Sequence, residues 1–232
     1  SFSRIRTSLN KQIMIGIFDI DSIVYASCYN AEDFEEATDS FWSRYNDVVY
    51  HMENRYGEVE MINVGFCTNN YRKKVDSNYK GQRPSAKPDH FNEMIQYIKD
   101  NLHIEIRTGI ETDDLVAKFL EYYGKDKSVI ISIDKDYMQY ECTIFNYNKR
   151  KFIVISKEEA LYNFWEQMVI GDVADNVKVC KGYGVKWCEK TFKGKSRFGM
   201  MKDVLTLYKK VYKGKGREKL IRTYLLLKLN VF

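Results

Sequence analysis

Ile13-Met14-Ile15-Gly16-Ile17-Phe18-Asp19-Ile20-Asp21 is the stretch that decides the fold. Its first six residues form an unbroken run without a charge. Such a run suits a strand buried on both faces, as in a parallel sheet covered by helices on either side. Two carboxylates close it, at the point where the chain would leave the sheet. Ser128-Val129-Ile130-Ile131-Ser132-Ile133 repeats the pattern and is followed by Asp134 and Asp136.

The same alternation continues outward from this strand. A helix-like stretch begins at Ser22, an amphipathic segment runs from about Thr38 to Arg55, and Glu60 to Cys67 reads as a second strand. Asn69 to Lys87 is rich in Lys, Arg and Tyr and has no clear periodicity, the mark of a long functional excursion. Pro88 suits the first turn of a helix continuing to about Leu102. A short strand at His103 to Arg107 precedes an acidic stretch whose helix continues to Tyr123. Cys142 to Asn146 and Lys151 to Ile155 read as two more strands. Helices are predicted at about 157–170, 185–193, 200–212 and 217–228, while residues 1–12 are polar and predicted to be peripheral. Strands alternating with helices imply an α/β fold, a doubly wound, mostly parallel sheet. The expected division is a core over 1–170, carrying the excursion at about 69–87, and a helical region over 171–232.

Composition narrows the function classes. The 232 residues are 44% hydrophobic, enough for a core, and 15% aromatic. No stretch resembles a signal peptide or a membrane span. The five cysteines are scattered and never spaced as CxxC, so reduced thiols in a cytoplasmic protein are expected and a zinc site is not. From Lys178 onward there are 16 Lys and Arg against 3 Asp and Glu, a surplus of 13; with a chain total of +5, the remainder carries −8. An acidic body with a basic C-terminal third suits a protein that chelates cations in one place and grips a polyanion in another. Trp187, Phe192, Phe198, Tyr208 and Tyr212 interleave with those charges, so the basic third is expected to be folded.

The acids concentrate where ligands bind. Glu111-Thr112-Asp113-Asp114 crowds three carboxylates into four positions, which is costly without a cation. Taken alone it also reads as a helix start, with Thr112 as N-cap and the aspartates complementing the dipole. Asp19, Glu111, Asp113, Asp114, Asp134 and Asp136 all follow predicted strands, and in an open α/β sheet the crevice at the strands' carboxyl ends is the ligand site. Asp172 and Asp175, three apart, could share a helix face and join the cluster. Carboxylate oxygens alone suit Mg2+ or Mn2+. The Gly182-Tyr183-Gly184 turn, flanked by Lys181 and Lys186, offers backbone N–H groups to a phosphate.

In this order the motifs resemble the 5′-nuclease (flap endonuclease) superfamily, which is PIN-like, and in particular the short bacteriophage 5′→3′ exonucleases. Phe18-Asp19, Tyr71-Arg72-Lys73-Lys74, Asn78-Tyr79-Lys80-Gly81-Gln82-Arg83, Glu111-x-Asp113-Asp114, Asp134-Lys135-Asp136 and Gly171-Asp172-x-x-Asp175-Asn176 carry the resemblance. It implies two-metal phosphodiester hydrolysis on DNA with a free 5′ end, flap or nick, with RNA–DNA hybrid as a further substrate. It implies one ion on Asp19, Glu111, Asp113 and Asp134, and another on Asp136, Asp172 and Asp175, with Asp114 a ligand or a supporting acceptor. It also implies a helical arch, in which Lys80 and Arg83 act on the phosphate, Tyr79 stacks on a base, and Arg72 and Lys73 contact DNA. Lys181, Gly182, Gly184 and Lys186 would form a helix–hairpin–helix turn on duplex phosphates, with a K+ site at its carbonyls. The implied setting is a monomer among replication proteins, in the host cell's cytoplasm if phage-encoded. Two positions depart from the family pattern: no carboxylate follows the second strand at Phe66-Cys67-Thr68-Asn69-Asn70, and Val179 replaces the hairpin's usual first glycine. Asp21 is an extra acid.

Three other functions fit parts of the sequence. Ile17-Phe18-Asp19-Ile20-Asp21 also fits a haloacid-dehalogenase-type phosphatase with Asp19 as nucleophile and Asp21 as acid. A PIN-type single-strand RNase shares the sheet and crevice. A non-catalytic DNA-binding module would need only the basic third.

Overall fold

The computed structural model describes residues 13–83 and 86–230; residues 1–12, expected to be peripheral, lie outside them. Six strands form one sheet in the order β3-β2-β1-β4-β5-β6. They are β1 (Met14–Asp19), β2 (Val59–Val64), β3 (Ile104–Glu105), β4 (Ser128–Ile131), β5 (Cys142–Asn146) and β6 (Lys151–Ile155). All neighbours are parallel except β5 and β6, which pair antiparallel. The order reverses between β1 and β4, and the crevice of a doubly wound sheet opens at such a point.

The apolar run quoted above alternates between two cores. Phe18 packs with Ile131 and Phe145 against α1 (Asp21–Cys28), α2 (Phe34–Tyr56) and α4 (Phe91–Asn101). Ile15 and Ile17 face the other way, with Ile130 and Ile144, toward α5 (Thr112–Tyr123). Fully burying each such side chain stabilises the fold by about 1.5–3 kcal/mol, which is why both faces of the central strands carry helices.

A third core holds α6 (Lys157–Ile170), α7 (Val185–Phe192), α8 (Arg197–Tyr212) and α9 (Gly216–Leu227). Phe164, Trp165, Met168 and Val169 of α6 pack there, while its Ala160 packs in the core beneath α5, so α6 joins the sheet to the C-terminal helices. No helix among the described residues is long and apolar enough to cross a membrane.

Several boundaries differ from expectation. β2 stops at Val64 rather than Cys67, because Phe66 takes a left-handed φ of 57° and gives its N–H to Asp21 Oδ1 at 2.8 Å. α4 starts at Phe91 and not at Pro88, because His90 has φ 61° and cannot belong to a right-handed helix. Residues 69–83 contain one short helix, α3 (Arg72–Val75), followed by turns.

Candidate active site

Asp19 closes β1 at the crevice and is 8% exposed. Its Oδ2 accepts from the Tyr137 hydroxyl at 2.8 Å and the Ser132 hydroxyl at 3.4 Å. Burial, and after it the charge of Asp21, pushes the Asp19 carboxyl up to about 7. Asp134 follows β4, is exposed, and caps a short turn by accepting from Asp136 N at 2.9 Å. Asp136 receives Gln167 Nε2 at 2.8 Å; burial, then Asp134, Asp172 and Asp175, pushes its carboxyl to about 7. Asp113, in the first turn of α5, is raised well above the carboxylate range by burial and by Glu111. Asp19, Asp21, Glu111, Asp113 and Asp134 share the wall of a cleft of about 1070 Å³.

Glu111, Asp172 and Asp175 are paired with cations of the chain itself. Glu111 accepts from Lys80 Nζ, from Arg72 Nη1 at 3.2 Å, from the Tyr79 hydroxyl at 2.8 Å and from Asn70 at 3.2 Å. Asp175 accepts from the Tyr79 hydroxyl at 2.5 Å and Arg83 Nη2 at 2.7 Å, and Lys80 Nζ stands 3.8 Å away. Lys135 pairs with Asp172 at 3.0 Å, which outweighs burial and holds that carboxyl below its ordinary value. Although burial works against it, the Lys80 ammonium is raised by the charges of Glu111 and Asp175.

Residues 78–83 form a strap fastened to the turn at 172–177. Lys80 N donates to the Asp175 carbonyl at 3.0 Å, Gln82 Nε2 to Asn176 Oδ1 at 2.9 Å, and Asn176 Nδ2 to the Asn78 carbonyl at 3.0 Å. That turn requires Gly171: at φ 77°, a Cβ there would lie 2.1 Å from the Val177 carbonyl oxygen.

Four assignments change with the structure. Arg72, expected on DNA, is 0% exposed and bound to Asp114 at 2.6 and 2.8 Å. Tyr79, expected to stack on a base, is 3% exposed with its hydroxyl between Glu111 and Asp175. Asp114 is engaged by Arg72, which outweighs burial and keeps its carboxyl low, and it lies outside the cleft wall. The N-cap of α5 is Glu111 rather than Thr112, whose hydroxyl donates to Asp21 Oδ2 at 2.6 Å. Lys73, Lys181, Gly182 and Lys186 are exposed, Gly184 partly so. Gly184 precedes α7, but residues 171–180 are not helical, so the hairpin has a helix on one side only.

Asp21 binds both Phe66 N and Thr112, and so brings a carboxylate to the end of β2, where the sequence has Cys67 and no acid. Lys135, Tyr137 and Gln167 belong to the site without having been singled out. Only Lys135 carried a signal, as a cation between two clustered acids.

Among the described residues, no three His, Cys, Asp or Glu side chains converge on one point as they are disposed. The donor set nonetheless fits a hard divalent ion, since the donors at the crevice are carboxylate oxygens. The charge of Asp134 acts on both Asp19 and Asp136 and raises each.

Sheet order and crevice define an open, doubly wound α/β fold with its ligand site at the carboxyl ends of the strands. Residues 17–166 match the family described as 5′-3′ exonuclease, N-terminal resolvase-like domain, and the chain belongs to that family. It is a nuclease. Solved structures agree in fold. A bacteriophage T5 flap endonuclease in a pseudo-enzyme–product complex with DNA and metal ions is 18% identical, with TM-score 0.72 over 93% of this chain and 89% of that one. A mutant of the T5 5′-exonuclease gives 17%, 0.69, 94% and 89%. The catalytic core of Rad2 in complex with DNA substrate gives 16%, 0.56, 93% and 73%.

Proposed function

We propose that the chain is a divalent-metal-dependent 5′→3′ exonuclease and flap endonuclease that hydrolyses phosphodiesters near the 5′ ends of DNA during replication. One observation carries this reading: Asp19, Asp113 and Asp134 line one cleft with Asp136 beside Asp134, yet none of the four has a Lys or Arg at ion-pair distance among the described residues. Like charges so placed call for an external cation.

In this reading Asp19, Glu111, Asp113 and Asp134 hold one Mg2+ or Mn2+, Asp136, Asp172 and Asp175 hold a second, and Asp114 supports Glu111 from behind. The bound ions supply Lewis acidity and a water of lowered pKa. Tyr137 and Ser132 fix the Asp19 carboxylate, and Gln167 fixes Asp136. Lys80 and Arg83 exchange their carboxylate partners for the non-bridging oxygens of the scissile phosphate, where positive donors stabilise developing charge. Exposed Lys181 and Lys186, within the basic C-terminal third, grip the duplex backbone. The DNA and metal ions in the T5 complex support these roles. The same reading makes the chain a monomer working with replication proteins, in the host's cytoplasm if it is phage-encoded like the T5 enzymes.

The test is a 5′-labelled flap, a nicked duplex and a single strand, as DNA and with an RNA 5′ segment, each with Mg2+ and with EDTA. Short 5′ products from flap and nick with Mg2+ alone are expected. Cutting confined to single-stranded RNA, or no metal-dependent product, would overturn the proposal.

A further inference from the structure

Arg72 uses every N–H of its guanidinium. Nε donates to the Leu226 carbonyl at 2.9 Å. Nη1 donates to Glu111 Oε2 at 3.2 Å and Asp114 Oδ2 at 2.6 Å. Nη2 donates to Asp114 Oδ1 at 2.8 Å and to the Lys228 carbonyl at 3.1 Å. These five bonds exhaust what an arginine side chain can donate.

Two of the acceptors are carbonyls at the C-terminal end of α9, which the helix leaves unsatisfied and which carry the negative end of its dipole. That end is itself clamped to the core. Gln139 Nε2 donates to the Leu227 carbonyl at 3.1 Å, Gln139 Oε1 accepts from Leu229 N at 3.1 Å, and Asn230 N donates to Asp114 Oδ1 at 2.9 Å. The guanidinium is therefore held on three sides by groups that do not reach the cleft. Its remaining partner, Glu111, does line the cleft.

Glu111 has two sets of charged or phenolic partners beside the neutral amide of Asn70. Lys80 and Tyr79 belong to the strap, and Lys80 is the group that must leave for the phosphate. Arg72 belongs to the buried frame and stays. We infer that Arg72 is the positioning residue of Glu111: with Asp114 and the end of α9 it keeps that carboxylate aimed into the cleft once the strap cations are released. The last helix is thereby part of the active-site scaffold. This inference rests on the proposed function, because it takes the cleft to be the catalytic centre.

The test uses the double variant Arg72→Met with Asp114→Leu in the full chain. Replacing a buried ion pair by apolar side chains of similar volume preserves folding in many proteins. Three quantities are read: single-turnover cleavage of a 5′-flap with Mg2+, the Kd for the same flap in EDTA, and the Kd for Mn2+ by calorimetry. Expected are a rate about 10–100-fold lower and an Mn2+ affinity about tenfold weaker, with flap affinity within about twofold of wild type. If the double variant does not fold, the same readings are taken on Arg72→Lys. That variant keeps the charge but has no planar fork to join Glu111 to Asp114, and the same losses are expected. An unchanged rate and Mn2+ affinity would overturn the inference. So would weaker flap binding at unchanged rate, which would give Arg72 to the DNA backbone. A wild-type protein that cleaves nothing with Mg2+ refutes the proposed function instead, and the Mn2+ arm then decides the positioning role alone.

Discussion

Around Glu111, Asp114, Asp172 and Asp175 the protein supplies its own cations, in Arg72, Lys80, Arg83 and Lys135. Around Asp19, Asp113, Asp134 and Asp136 it supplies hydroxyls, one side-chain amide and backbone N–H groups. The two sets adjoin, and Asp113 and Asp114 stand side by side in the first turn of α5. Burial raises every one of these carboxyls, yet the net shifts are opposite: the partners of Asp114 and Asp172 outweigh it and hold them low, whereas Asp19, Asp113 and Asp136 are raised. Carboxylates that the chain neutralises itself are held in place by those cations and fasten the strap, and in the proposed function Glu111, Asp172 and Asp175 exchange them for a metal ion. Those it leaves to repel one another call for a cation from outside at once.

The largest effect separating the two sets should come from Asp19→Asn or Asp134→Ala. Each is expected to lower cleavage of a 5′-flap by about 10³-fold or more while binding of 5′-tailed duplex survives, measured by gel shift in EDTA. Full activity in either would merge the two sets. On the paired side, Arg72→Ala leaves Asp114 buried and uncompensated. A loss of about 3–5 kcal/mol in denaturant unfolding is expected, and a change under about 1 kcal/mol would show that the pair is no anchor.

Lys80 belongs to both sets, as the cation that pairs Glu111 and is then lent to the phosphate. Lys80→Ala should slow cleavage by about 10²–10³-fold and leave the thermal midpoint near wild type. A near-normal rate would confine it to fastening the strap.

The smallest effect is the sharpest in sign. Asp19 titrates near 3.8 when unfolded and near 7 when folded, so between those values the native state binds more protons. Metal-free protein should therefore lose stability from this group as pH rises from about 4 to 7. Asp19→Asn should remove the slope and stabilise the metal-free protein at pH 7.5 by about 1–3 kcal/mol. Asp114, held low by Arg72, has the opposite sign: its contribution is present at neutral pH and fades as pH falls below 3.8 toward its folded value. Destabilisation by Asp19→Asn in EDTA would contradict the contrast.

How much of this was legible follows from how local each cause is. The uniform apolar runs at Ile13–Phe18 and Ser128–Ile131 declare buried parallel strands because burial on both faces removes any polar alternation. β5, β6 and α6 lie where their patterns put them, α6 starting from the Ser156–Glu159 capping box. The ends of β2 and α4 were less legible, since single residues with positive φ, Phe66 and His90, break patterns that hydropathy would continue. Three further features could not be read locally. Arg72 is claimed by Asp114, 42 positions away, and by Leu226, 154 away. Tyr79 is claimed by a turn nearly a hundred residues on. Asp21 takes the end of β2 only because the fold brings Phe66 beside it. A string of basic and aromatic residues looks the same whether its partner is a phosphate or the protein's own carboxylate.

Calorimetric titration of Mn2+ into metal-free protein tests the division of the crevice most directly, with wild type beside Asp19→Asn and beside Lys135→Ala. Saturable binding in wild type, lost or weakened at least about tenfold in Asp19→Asn and undiminished in Lys135→Ala, is the expected result. Equal binding in wild type and Asp19→Asn, or no binding in any of the three, would contradict it.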